Sequence, residues 1–342
     1  MSLPAADLPT GALHFASSAV LLGTVRVGRR LVLAQGAVVR SQGAAVRIGA
    51  DSAVLENCAV IGRPGLDVSI GRKAVFGHRC LVVGATVGDL CEIGNGSVLM
   101  PGARLGNGCF LGEGTLIPPG AVVPDDSVVV GRPGRSIRRA NSADRARLLR
   151  LREGDLSLSN DPPHELSGKG NGMGQLYAFR DKTPMVAGSA FLFGSAEVTG
   201  DVVIGERTII GAGVKIIGDS HGPVRIGRDV QILENSVLHL LPDNELVLED
   251  GVIIGPGAMI HGCRIGRGSV VEPGAIVCDS SELGANCLVR AGSVVKQRAR
   301  FPAGAIVDGF PAAQVGNLTA PQPLPAWALR QGDLGHLTKA ER

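Results

Sequence analysis

The stretch IGRGSVVEPGAIVCDSSELGANCLVRAGSVV, residues 265–295, sets an aliphatic side chain about every six positions, commonly with glycine after it. A period of six matches neither the 3.6-residue turn of a helix nor the two-residue alternation of a strand. The same rhythm runs through GDVVIGERTIIGAGVKIIG (200–218). In the first half of the chain it recurs in TVRVGRRLVLAQGAVV (24–39) and CEIGNGSVLMPGARLGNGCFLGEGTLI (91–117). Self-similarity at a fixed period points to stacked repeats rather than a conventional globular core. Composition agrees: the 342 residues include 50 glycines and are 44% hydrophobic but only 3% aromatic, so the interior must be built from small and branched side chains.

Such hexapeptides resemble those of the left-handed parallel β-helix, in which three short strands form one triangular coil and each coil stacks on the last. The physics supports the resemblance: one aliphatic side chain per face fills a narrow prism, glycine turns the corners, and backbones bond from coil to coil. The implied fold is mainly β, with two left-handed parallel β-helices in tandem, each followed by a short C-terminal helix. The halves are duplicates. VRIGADSAVLENCAVIG (46–62) aligns with VRIGRDVQILENSVLHL (224–240) at a constant offset, 226 − 48 = 178 and 234 − 56 = 178. The first β-helix with its capping helix is expected over 1–153, the helix itself in SADRARLLRLREGDL (142–156). The Ser-, Pro- and Gly-rich segment 154–175 reads as a flexible linker. The second β-helix, with a helical tail, is expected over 176–342. The GxGxG of the linker has no strand before it or helix after it, so it is not a nucleotide loop.

Charge and cysteine usage exclude several classes. Net charge is +3, and the one basic cluster, 131–152, reads as a solvated helix, so no nucleic-acid partner is expected. Seven cysteines without CxxC spacing suggest buried hydrophobes in a reducing compartment, not a disulfide framework. No apolar run approaches the roughly 20 residues of a membrane helix, and the N-terminus lacks the pattern of a leader, so a cytoplasmic protein with no membrane partner is expected.

Chemistry concentrates in ENSVLHLLPDNELVLEDGVIIGPGAMIHG (234–262), which holds His239 and His261 with Pro256 between them. LYAFRDKTPMVAGSAFLFGSAEVTGDVVIG (176–205) resembles the opening of γ-carbonic-anhydrase-like proteins, and FPAGAIVDGFPAAQVGNL (301–318) their exit from the last coil. That resemblance implies a metal held by three histidines at the junction of neighbouring β-helices, two from one and the third from the next. His239 and His261 match the first and third ligands, and Pro256 stands at the second. Subtracting 178 places Pro256 opposite His78, His239 opposite Ile61 and His261 opposite Val83, so each half holds what the other lacks. The resemblance therefore implies a composite site of His78, His239 and His261. It would bind Zn2+, or another divalent transition metal, and hydrate carbon dioxide reversibly to bicarbonate.

The family's RGD loop reads Arg40-Ser41-Gln42 in one half and Gly218-Asp219-Ser220 in the other, implying an interface ion pair between Arg40 and Asp219. The glutamine that orients the family's water is Leu55 and Leu233 here. Gln231, two residues before Leu233, and Glu234, after it, are the substitute catalytic candidates; Glu56 is the counterpart of Glu234. His221 is a solvated residue or a base, while His14, His164 and His336 carry no signal. By the same resemblance the chain forms a homo-oligomer, a trimer. Two readings stay open beside the enzyme: a noncatalytic assembly subunit of the same family, and a hexapeptide acyltransferase with a lone histidine as general base.

Overall fold

A two-residue strand has no stability of its own, and most strands here are two or three residues long. They persist because each is hydrogen-bonded to a coil on either side. In the computed structural model, which describes residues 13–219, 222–241 and 243–338, the chain divides into two compact units, Met1–Gly168 and Lys169–Arg342.

The stretch 265–295 shows how the second unit is built. Ile265, Val271, Val277, Leu283, Val289 and Val295 are all at most 2% exposed and belong to one apolar cluster. Each stands in register with the residue eighteen positions on: Ile265 with Leu283, Val271 with Val289, Val277 with Val295. Three hexapeptides thus make one coil, and three sheets of seven, seven and eight strands, among the described residues, form its faces, parallel throughout except for the last strand of the third. Mainly β structure in a parallel solenoid of hexapeptide repeats is the expected fold class. The glycine after the aliphatic residue has a steric cause. A Cβ on Gly266 would lie 2.6 Å from Ala285 N, and one on Gly284 would lie 2.4 Å from Ala303 N, so only glycine lets the next coil approach.

The first unit repeats the plan. Its faces form an 8-stranded and an 11-stranded sheet, the latter spanning two faces because Val38–Ile48 runs through a corner and pairs with both Ala59–Gly62 and Val68–Ile70. Both units end alike. Ser127–Gly131 folds back on Gly134–Arg139, and Ala305–Gly309 on Ala312–Asn317, each an antiparallel hairpin that closes the last coil's edge. A helix follows each hairpin, α1 (Ser142–Leu151) and α2 (Gln331–Leu337). Helix α1 starts at a capping box: Asn141 Oδ1 accepts from the N–H groups of Ala143 and Asp144, and Asp144 Oδ2 accepts from Asn141 N at 2.8 Å. The Arg138 hydrogen bond, with that from Asn141, holds the Asp144 carboxyl down at about 2.

All seven cysteines are free and six are buried, and burial drives the Cys263 thiol well above its usual range. No helix among the described residues is long and apolar enough to cross a membrane.

The segment 154–175 departs from the flexible linker expected of its composition. His164–Gly168 is a strand paired antiparallel with Val20–Val27, and Gln175–Tyr177 already belongs to the second unit's first coil. Between them, Asp161 pairs with Arg29 at 2.8 Å and Asn160 accepts from Arg72 at 2.8 Å. Serine, proline and glycine argue against a helix, but they do not reveal that a strand edge stands open nearby for an extended chain to bond.

This strap is anchored at Asp155, which accepts from the buried Lys73 ammonium through its carbonyl at 2.7 Å and its Oδ2 at 2.8 Å. The Lys73 hydrogen bond holds the Asp155 carboxyl well below the usual carboxylate range. A depressed carboxylate contributes stability above its unfolded pKa, here about 4, and loses it as pH falls through the lower folded value. Cleavage of the strap by pepsin is therefore expected to accelerate as pH drops below about 4. Asp155→Asn should make the strap cleavable at neutral pH by a second protease, and equal cleavage of variant and native chain would remove the anchor from the account.

Candidate metal centre

Strands Val237–His239 and Met259–His261 lie on successive coils of one face, with His239 in register with His261. His239 Nδ1 and His261 Nε2 converge to 3.1 Å, with the ring planes 74° apart. His261 Nδ1 meets Asp279 Oδ2 at 2.6 Å, and His239 Nε2 lies 3.6 Å from Asp219 Oδ2. Asp279 is only 7% exposed, and its other oxygen accepts from Leu241 N–H at 3.3 Å and from the Asn244 amide at 3.2 Å. Asn244 also donates to Gly262 O at 2.6 Å, tying this carboxylate to the coil that carries His261.

The arrangement selects a tautomer. A carboxylate at Nδ1 requires that nitrogen to carry the proton, which leaves the His261 Nε2 lone pair directed at His239. Two imidazole nitrogens 3.1 Å apart approximate the edge of a tetrahedron with metal–nitrogen bonds of about 2.0–2.1 Å, which measures about 3.3 Å. The donor chemistry suits a borderline divalent ion such as zinc. The set is short of three: among the described residues no group of three His, Cys, Asp or Glu is placed to hold a metal ion.

The duplication survives in three dimensions, down to the backbone bonds of equivalent turns. Glu56 O accepts from Arg79 N at 2.8 Å and Glu234 O from Gly257 N at 2.8 Å; His78 O accepts from Gly96 N at 2.8 Å and Pro256 O from Gly274 N at 2.9 Å. Pro256 thus occupies the turn that His78 occupies in the first unit. Ile61 and Val83, in register with each other, stand where His239 and His261 stand in the second. His78 Nδ1 lies 2.7 Å from Glu56 Oε2, so a carboxylate faces the same ring nitrogen as in His261, and its side chain is 54% exposed.

Asp279 is the neighbour of the histidine pair that the sequence reading missed. The same subtraction of 178 puts it opposite Pro101, so it is present only in the unit that carries the histidine pair. Its spacing of eighteen from His261, one full coil, was the available signal.

The other expected residues are placed as follows. Gln231 is a correction: its amide donates to Leu329 O at 2.6 Å and accepts from Leu329 N at 2.9 Å, on a different face from the histidines. Both ends of the amide pin the C-terminal tail, because Gln231 precedes the corner that separates the two faces. Glu234 is fully buried at that corner, and Leu233 is buried beside it. Arg40 is fully buried within Val38–Ile48, and Asp219 follows Lys215–Gly218 beside His239. Ser220 and His221 lie outside the described residues. His14 and His164 sit on strands of the first unit, and His336 in α2.

The family described as bacterial transferase hexapeptide (six repeats) matches residues 84–119 and 262–297, once in each unit. A carbonic anhydrase of Geobacillus kaustophilus is 40% identical over 109 residues, which are 32% of this chain and 59% of that protein. The carnitine operon protein CaiE of Escherichia coli is 32% identical over 143 residues, 42% of this chain and 72% of that protein. A solved hexapeptide transferase family protein from Anaplasma phagocytophilum is 26% identical, covers 48% of this chain and 89% of its own, and superposes with a TM-score of 0.41. The chain thus spans little more than half the length of the carbonic anhydrase it matches, and each alignment takes in less than half of the chain. With the repeat, the solenoid, and the sequence likeness to the carbonic anhydrase and to CaiE, the chain belongs to the γ-carbonic-anhydrase-like hexapeptide-repeat family.

Proposed function

We propose that this chain is a zinc enzyme of the carbonic anhydrase type, hydrating carbon dioxide reversibly, with the metal held by His239, His261 and His78. The observation that carries the proposal is the convergence of His239 Nδ1 and His261 Nε2 at 3.1 Å, with Asp279 fixed behind His261. The third ligand is assigned to His78 because it occupies the turn that Pro256 occupies in the duplicate. Held by these residues, zinc would supply a Lewis acid able to bring the pKa of a water molecule to about 7.

The chain's own residues prepare the donors. Asp279 keeps the His261 proton on Nδ1 and thereby leaves its Nε2 available, while Glu56 Oε2 lies 2.7 Å from His78 Nδ1. The same proposal includes the Arg40–Asp219 ion pair and a trimeric homo-oligomer as the setting of the site.

A specific observation favours a second reading, a noncatalytic assembly subunit. Leu55 and Leu233 offer no hydrogen bond where the family places its water-orienting glutamine, and Gln231 is engaged with Leu329. Metal analysis and a carbon dioxide hydration assay on one sample separate the two. Zinc with hydration above the zinc-free control supports the enzyme, zinc without hydration supports the subunit, and no zinc after expression with added metal sinks both the site and the enzyme.

Asp279 has its own test. Asp279→Asn removes the acceptor that fixes the His261 tautomer and should weaken zinc binding by about 10–100-fold, measured by chelator competition. Unchanged affinity would reduce Asp279 to a structural carboxylate.

A further inference from the structure

On another part of the first unit, Arg26 and Arg47 stand directly opposite each other on adjacent coils. Paired strands lie about 4.8 Å apart, and like charges facing each other at that spacing destabilise the pair. The second unit avoids the problem: Arg225 has Val203 and Val247 as its register neighbours and pairs with Asp201 at 2.7 Å. In the first unit Arg26 has Glu165 at 3.6 Å, while the exposed Arg47 makes no ion pair among the described residues. Arg72 comes in beside them, held by Asp89 at 2.6 Å with Asn160 on its other side.

All three arginines line one cavity of about 290 Å³, lying between the coil corner at Gly49 and the strap at 159–163. The carboxylate that also lines it, Asp161, is engaged by Arg29 at 2.8 Å. Two unlike observations therefore meet here: two cations in register of which only Arg26 has a carboxylate partner, and a half-open cavity that both line.

We propose that this cavity binds a small molecule through a phosphate group, with Arg47 as the principal ligand and Arg26 and Arg72 flanking it. A guanidinium presents its N–H groups as a planar fork that fits two oxygens of a phosphate at once. The anion takes the place of the carboxylate that Asp201 supplies to Arg225 in the other unit. A volume near the lower end of small-molecule sites, about 300 Å³, leaves room for an organic group beside the phosphate. The strap forms part of the wall, so occupancy also ties down Ser159 and Asn160, which already bond Arg72.

The full-length chain is titrated with inorganic phosphate, glycerol 3-phosphate and bicarbonate against chloride at matched ionic strength, by calorimetry and thermal unfolding. Both phosphates are expected to bind and raise the melting temperature, glycerol 3-phosphate more strongly, as a ligand selective for the folded state must. Arg47→Gln should weaken both by at least about tenfold, whereas Arg47→Lys, which keeps the charge and loses the fork, should fall between. In phosphate-free buffer Arg47→Gln should melt at or above the native chain, because the like-charge contact is gone. Its zinc content should equal the native chain's, which separates this site from the histidines. No binding above chloride, binding of bicarbonate in preference to phosphate, or native affinity in Arg47→Gln would each overturn the proposal.

Discussion

Zinc-loaded and dialysed, the purified chain is expected to retain about one ion per chain, and His261→Ala to retain none by elemental analysis. Four-ligand zinc sites in small domains bind with about 10–16 kcal/mol, so each ligand contributes about 3–4 kcal/mol, or two to three orders of magnitude in affinity. Removing His261 takes away one imidazole and also the only ring that Asp279 orients. Asp279 keeps its hydrogen bonds from Leu241 and Asn244, so the coil itself should remain folded and far-UV circular dichroism should not change. His239→Ala and His78→Ala should lose the metal likewise. His164→Ala, on the exposed strap strand, should keep it. A His78→Ala chain with native zinc affinity would remove the first unit from the site and leave the fold assignment intact.

Phe76→Ala is expected to destabilise the first unit by about 3–5 kcal/mol, read as a lowered midpoint of denaturant unfolding. Phe76 is fully buried and stands between Val54 and Ile93 on the coils to either side. Those coils are bolted in place by Leu55 N to Phe76 O at 3.1 Å and Gly77 N to Ile93 O at 2.8 Å, so the walls cannot close on the void. Each coil of a solenoid contacts only its neighbours, and the damage should stay near this one. Because Gly77 and His78 follow directly, zinc affinity should fall as well. A loss under about 1 kcal/mol would mean that the prism repacks around the missing ring.

These expectations differ in how much of their basis could be read from the chain alone. The six-residue rhythm of 265–295 is local information. Each hexapeptide must place one aliphatic side chain inward and one tight turn at a corner, so side-chain chemistry at fixed spacing is enough to imply the coil. The offset of 178 is likewise a property of the written sequence, and with it came the exchange of Pro256 for His78. The backbone bonds to His78 O and Pro256 O then proved equivalent.

Other features depend on which coil rests on which, and spacing did not reveal them. Two-residue spacing puts Gln231 on the same face as Leu233 only if one strand holds both, but the strand ends at Ile232 and the Leu329 backbone takes both ends of the Gln231 amide. The segment 154–175 has a linker's composition, yet His164–Gly168 within it is a strand, because the partner it bonds lies well over a hundred residues earlier. Asp279 reaches His261 only because one coil is eighteen residues long at that point. Periodicity acts within one coil and was legible as written. Partnerships between coils, and between a coil and a strap, arise only when stacking brings distant backbone groups and carboxylates to within bonding distance.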